Sequence, residues 1–360
     1  MEFTADVLRY DEQAIMRLRT LYRQFGYSQY RMSRFEEYGL YAENKAFLAS
    51  GDIITFTGAG GKLMALRPDV TLSIVKNTKE DGKLKKLYYN ENVYRRDGLE
   101  FKEQMQVGLE CIGHIDVYSM GEVIMLARRS LETLGQRFCL DISHLGFVNG
   151  LLRDENLAPD NKTALLRVVS ERNIHELEAL CRQFGLGKVI QNALASLASL
   201  YGPFYDVIND LRSVSMNEET NSSLCELEDV HRVLTQLGAE KDVNLDFSIV
   251  NDLSYYSGLI FQGYIDGIPA KILSGGRYDK LMRKFGKASG AVGFAVYLEM
   301  LEQISPPRNG ATVDVMLTYG DDTSAEKLAQ AVSAFTAQGQ SVCVQRSLPD
   351  DVKYDRLVEM

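Results

Sequence analysis

A long, nearly unbroken helical block divides the strand-forming parts of this chain, and that interruption limits the folds open to it. From Asp160 to about Leu237 apolar residues recur at helical spacing. Asp160 and Asn173 are the expected N-caps, and Ser223-x-x-Glu226 reads as a capping box. Before the block, β-rich runs cover Ile53 to Thr57, Lys62 to Pro68, Leu84 to Tyr94 and Met105 to Gly113. After it they return at Val243 to Asn251, Gly258 to Tyr264 and Ala270 to Leu273, followed by a glycine-rich turn and a helix containing Tyr278 to Phe285. Strands from both sides are expected to share one sheet.

Two helices frame the first strands. Ile15, Leu18, Leu21, Tyr22 and Phe25 lie on one face of a helix over residues 9–25 that ends at Gly26, and a second runs from about Gly121 to Leu134, closed by Gly135. Gly58-Ala59-Gly60-Gly61 supplies the positive φ angles of a hairpin turn. It is not a phosphate loop, because that motif needs a glycine five positions before its Gly-Lys and a Ser or Thr after it, whereas Leu63 follows Lys62. Toward the C-terminus, Ser305-Pro306-Pro307-Arg308-Asn309-Gly310 reads as a linker. Strands at Val313 to Thr318 and Ser341 to Gln345 flank a helix at Ser324 to Gln338, so a parallel pair with an open edge is expected. The division that follows is a core of residues 1–155 and 240–304, a helical insertion over 156–239, and a linker with a small α/β unit over 305–360.

Composition narrows the partners. A net charge of −9 argues against a surface built to hold a polyanion. Five dispersed cysteines without a C-x-x-C pair give neither a disulfide framework nor a thiolate zinc site, and they read as reduced, mostly buried thiols. The four histidines show no ligand spacing, so neither a metal nor a cofactor is expected. With no signal-peptide pattern and no apolar run near the ~20 residues of a membrane span, a cytoplasmic location is expected.

Chemistry concentrates in a few segments. As a strand, Gln106-Val107-Gly108-Leu109-Glu110 turns Gln106, Gly108 and Glu110 to one face, with the two polar residues about 13 Å apart at roughly 3.3 Å per residue. Gly108 leaves a place between them for a small zwitterion whose ammonium Glu110 could take. A solvated edge strand would show the same pattern. Asp69 and Thr71 follow Leu66-Arg67-Pro68 at an expected helix start. Tyr255-Tyr256-Ser257-Gly258 and Ser274-Gly275-Gly276-Arg277-Tyr278-Asp279 set tyrosines beside glycines, which suits close approach to a ligand as well as turn and core packing.

Taken in order, Leu-Arg-Pro-Asp-x-Thr, Gln-Val-Gly-x-Glu-x-Ile-Gly, Tyr-Tyr-Ser-Gly-x-x-Phe, Gly-Gly-Arg-Tyr-Asp and Ala-Val-Gly-Phe-Ala-x-x-Leu-Glu make the chain resemble histidyl-tRNA synthetases from about residue 5 to 302. The resemblance implies an α+β fold, a class II aminoacyl-tRNA synthetase-like antiparallel sheet flanked by helices, with a helical insertion. It implies a histidine pocket of Asp69 and Glu110 around the amino group, with Thr71 beside them and Gln106, Tyr256 and Tyr278 lining the rest. Residues 311–360 resemble the opening of an anticodon-binding domain.

The ATP half of the pattern departs from the family. The histidine-specific arginine is replaced by Asn251 and the arginine of the last class II motif by Met300. The adenine-stacking aromatic corresponds to Gln104, and the proline of the first motif to Ser33. Arg95 keeps the place of the second motif's phosphate-binding arginine, before a loop about three residues short. Adenylyl transfer depends on positioned positive charge, so adenylation is not expected.

A retained amino-acid pocket beside a degenerate ATP site is similar to the regulatory subunits of short-form ATP phosphoribosyltransferase. That likeness implies a catalytic subunit as partner, histidine as effector in the first step of histidine biosynthesis, and a homodimer within a hetero-oligomer, without tRNA or membrane. The alternatives are a synthetase-like paralogue with another sensing or RNA-linked role, and an active synthetase, which would need the missing arginines.

Overall fold

The computed structural model describes residues 8–48, 53–97, 100–135, 137–153, 155–249, 255–304, 313–349 and 352–360. Arg9–Ile304 form one compact unit, and the C-terminal segment belongs to a second. Strands in the first unit are, in chain order, β1 (Ser28–Gln29), β2 (Phe35–Glu37), β3 (Thr55–Thr57), β4 (Leu63–Leu66), β5 (Lys85–Asp97), β6 (Glu100–Gly113), β7 (Phe138–His144), β8 (Tyr201–Pro203), β9 (Val243–Asp246), β10 (Leu259–Ile265), β11 (Leu273–Arg277) and β12 (Gly290–Tyr297).

Nine of them make one sheet in the order β1-β5-β6-β12-β11-β10-β7-β9-β8. Its pairs are antiparallel except β1 with β5 and β7 with β9. Strands from before and after the helical block do share it, and the class II synthetase-like architecture is present. β2, β4 and β3 form a separate small antiparallel sheet, with Gly60 (φ 71°) and Gly61 (φ 77°) in the hairpin between β3 and β4.

Alternation along β6 sends Val107, Leu109 and Cys111 into the main core, under the helices Tyr10–Gln24 and Val117–Leu134. Tyr22 of the first helix meets Phe294 edge-on at 6.0 Å and shares a 3.0 Å hydrogen bond with Ser130 of the second. The opposite face of β6 is the polar one.

Several boundaries moved for identifiable reasons. The helix expected from Gly121 begins at Val117 because Asp116 accepts from the Ser119 amide at 2.7 Å. The helical block comprises Pro159–Ser170, Ile174–Gln183, Lys188–Ser199, Phe204–Val214 and Glu218–Gln236, with the short β8 inside it. Asn173 caps as expected, accepting from the Glu176 amide. Asp160 does not cap, since Pro159 already occupies the first helical turn. Ser223 is interior to its helix, which starts instead at a capping box between Asn217 and Thr220. Ser274-Gly275-Gly276 is strand, not turn. A Cβ on Gly275 would meet the Phe294 Cβ and the Gly293 carbonyl, so glycine there permits close strand packing. The expected run to Asn251 is strand only to Asp246, and Asn251 itself lies outside the described residues. Of the cysteines, only Cys111 and Cys181 are buried, and Cys225 is exposed.

In the C-terminal unit, β13 (Val313–Thr318) and β14 (Val342–Gln345) pair in parallel around the helix Ala325–Ala337. An unanticipated β15 (Tyr354–Glu359) adds to the other side of β13, giving the order β14-β13-β15. The expected linker at 305–310 lies outside the described residues. Among the described residues, no helix is long and apolar enough to cross a membrane, and no cluster of His, Cys, Asp or Glu could hold a metal ion.

Candidate functional site

The polar face of β6 is the floor of a cavity of about 370 Å³, within the range of small-molecule sites. Asp69, Thr71, Gln106, Glu110, Tyr256 and Tyr278 all line it, as do Arg95, Gln104 and Met300. Nine of the ten residues singled out in the sequence therefore converge, and the tenth is Asn251, outside the described residues.

Glu110 organises one end. It is buried, Thr71 Oγ1 donates to its Oε1 at 2.8 Å, and the Tyr278 phenol donates to its Oε2. Burial pushes this carboxyl up to about 8, against the pull of those two donors, and the nearby Asp69 carboxylate adds to the rise. Asp69, two residues before the helix Thr71–Asn77, accepts from the Leu72 amide in its first turn at 2.8 Å. Its own carboxyl is raised by burial, while the Leu72 amide and Arg95 oppose the shift. Two carboxyls thus share a poorly solvated corner, each holding hydrogen-bond donors but neither facing an ion pair there. A positive ligand group is what such a corner lacks.

The turn carrying Asp69 is fixed from behind. Arg67, fully buried, donates to the Ser33 carbonyl at 2.6 Å and to Glu91 and the Asn92 carbonyl at 2.9 Å each. Arg95 Nε donates to the Pro68 carbonyl at 3.2 Å, so part of its guanidinium braces the same turn. Arg67 was not among the candidates.

Glycines decide where the side chains fit. Gly293 pairs with Glu110 across the sheet, and a Cβ there would overlap the Glu110 carboxylate. The empty place expected at Gly108 is not there. The phenol of Tyr89, its partner on β5, occupies that space, and a Cβ on Gly108 would collide with it. Tyr89 lines the cavity and was missed, because its place opposite Gly108 follows from the β5–β6 register. Tyr255, also missed, stands with its ring 4.7 Å from that of Tyr256 and 5.8 Å from that of Tyr278, forming an aromatic wall.

The other end is different. Met300 is apolar, and Gln104 donates to the exposed Glu299 at 3.1 Å. Position 104 carries no aromatic side chain, and the acidic Glu299 lines the same cavity. Lys271 and Arg95 are the basic residues lining the cavity.

A family model for histidyl-tRNA synthetase matches residues 4–301. A relative from Caldanaerobacter subterraneus, an ATP phosphoribosyltransferase regulatory subunit, is 31% identical over 291 residues, 79% of this chain and 75% of the relative. The chain belongs to the histidyl-tRNA synthetase family, in its ATP phosphoribosyltransferase regulatory-subunit branch. A solved structure from Bacillus halodurans, described as an ATP phosphoribosyltransferase regulatory subunit/histidyl-tRNA synthetase, is similar with a TM-score of 0.80 at 26% identity, over 100% of this chain and 96% of that one. The histidyl-tRNA synthetase of Nostoc, at 17% identity, a TM-score of 0.72 and coverage of 98% and 87%, shares the fold. In this branch the synthetase fold has a regulatory, non-catalytic role.

Proposed function

We propose that the cavity binds free histidine and that the chain is the histidine-sensing subunit of a short-form ATP phosphoribosyltransferase. The catalytic partner would need it for activity and would be inhibited through it in the first step of histidine biosynthesis. The observation that carries this reading is the Glu110 corner, a buried and a half-buried carboxyl held by Thr71, Tyr278 and the Leu72 amide. An α-ammonium placed between Asp69 and Glu110 would supply the missing charge. The imidazole would lie against Tyr255, Tyr256 and Tyr278, with Gln106 as a polar neighbour. Sequence and chemistry at Met300, Gln104 and Glu299 speak against adenylation in the same cavity.

The names of the relatives support the catalytic partner, and the family likeness supports a homodimer of this chain inside a hetero-oligomer acting in the cytoplasm. Histidine inhibits in this scheme by binding one conformation of the complex better than the other. Calorimetry of the purified chain with histidine, with ATP and with both is the test. Histidine binding without ATP binding is the expected result, and tight ATP binding or pyrophosphate exchange activity would overturn it.

A further inference from the structure

The segment Arg277-Tyr278-Asp279 joins the cavity to the helical block. Arg277 Nη1 reaches Glu226 Oε1 of the helix Glu218–Gln236 at 3.3 Å, and its Nε donates to Asp279 Oδ2 at 2.8 Å. The second oxygen of Glu226 lies 3.0 Å from His144 Nε2, at the end of β7. His144 Nδ1 accepts from the Phe147 amide at 3.3 Å, which leaves Nε2 as the ring nitrogen that meets Glu226. The Glu226 carboxylate thus sits between His144 and Arg277, one on each oxygen. Ser257 closes the arrangement: its amide donates to the Arg277 carbonyl at 2.8 Å and its hydroxyl accepts from the Asp279 amide at 3.0 Å. Tyr278 is thus held from both sides by one clamp, with Ser257 next to Tyr256 part of it, and the Tyr278 phenol ends on Glu110.

We propose that Glu226 and Arg277 are positioning residues for the histidine site, setting the Tyr278 phenol on Glu110, so that the helix Glu218–Gln236 and the ligand's ammonium are coupled. This rests on the proposed histidine reading of the cavity. A displacement of that helix that pulls Glu226 from Arg277 releases the backbone on both sides of Tyr278. The donor to Glu110 Oε2 then loosens, and the carboxylate that faces the ammonium is less well held. By reciprocity, a bound ammonium that fixes Glu110 and Tyr278 holds the helix in place.

The test uses the full chain and the variants Glu226→Gln, Tyr278→Phe and both together, with folding checked by circular dichroism. Histidine and 3-(imidazol-4-yl)propionate, which lacks the α-ammonium, are titrated by calorimetry. Glu226→Gln is expected to weaken histidine about 2- to 30-fold, the span of couplings carried by residues outside a site, and to leave the propionate unchanged. The double variant is expected to bind no more weakly than Tyr278→Phe alone. Equal losses for the two ligands, or additive losses in the double variant, would overturn the proposal.

A ligand-free reading separates this inference from the histidine assignment. In urea unfolding across pH, the step near 8 that belongs to Glu110 is expected to move upward in Glu226→Gln, because a donor to its carboxylate has loosened, and to vanish in Glu110→Gln. An unmoved step refutes the clamp. A moved step in a protein that binds no histidine refutes the ligand and keeps the clamp. Should Glu226→Gln not fold, Arg277→Lys retains the charge, loses the Nε contact to Asp279 and carries the same readouts.

Discussion

The two ends of one cavity differ in how completely their polar groups are partnered. At the Glu110 end every carboxyl is held: Thr71 and Tyr278 serve Glu110, the Leu72 amide serves Asp69, and a buried Arg67 anchors the turn beneath. At the Met300 end Gln104 and an exposed Glu299 are paired with each other. A maintained site keeps its supporting residues as well as its contacts, because a half-satisfied buried network costs more than an apolar one. The ends share a floor, so the difference lies in the side chains and not in the fold.

The largest expected effect is at the maintained end. Glu110→Ala removes the carboxylate facing the ammonium, and histidine binding should fall by at least about 30-fold, with inhibition of the reconstituted enzyme lost and assembly kept. Inhibition that survives this change would dissolve the contrast between the ends. Next, Gly293→Ala places a methyl in the volume of the Glu110 carboxylate. Denaturant unfolding should show a loss of about 1 to 3 kcal/mol, and histidine binding should drop with it. Tyr278→Phe removes one donor to a charged acceptor and should weaken histidine roughly 10-fold while the chain stays folded.

A pH experiment sharpens the comparison without a ligand. Glu110 has an ordinary value of 4.5 and is raised by burial to about 8, so between those values the native state holds more protons than the unfolded one. Its contribution to stability is fully present below 4.5 and is lost as pH rises through 8. Wild-type stability should therefore decline over that window more steeply than that of Glu110→Gln, and histidine should flatten the decline. The smallest effect is expected at the other end. Met300→Arg sets a guanidinium beside Glu299 and should leave ATP binding undetectable by calorimetry; a gain in ATP affinity would mean that one residue separates the two ends.

Much of the site was legible because its residues sit at fixed intervals on simple elements. The period of a strand put Gln106 and Glu110 on one face, and a proline-terminated strand put Asp69 and Thr71 at a helix start. What could not be read was anything decided across strands. Tyr89 fills the place above Gly108 only through the β5–β6 register, which no local pattern encodes. Gly275 and Gly276 look like a turn in sequence, yet they are strand because Phe294 and Tyr256 need the room. Ser223 matched a capping pattern but was outcompeted by Asn217, one and a half turns earlier, whose box with Thr220 is complete. The strand Tyr354–Glu359 pairs with β13 across both the helix and β14 in sequence, a pairing no local pattern marks.

Gly293 has no side chain to offer a ligand, yet it sets where the Glu110 carboxylate stands. The site's selectivity is consequently stored partly in an atom the chain does not have. A single methyl acquired there would evict the charge before any contact residue changed. Mutational drift could silence such a sensor while every recognisable motif residue remained in place, so the presence of the motif alone does not certify that a family member still responds.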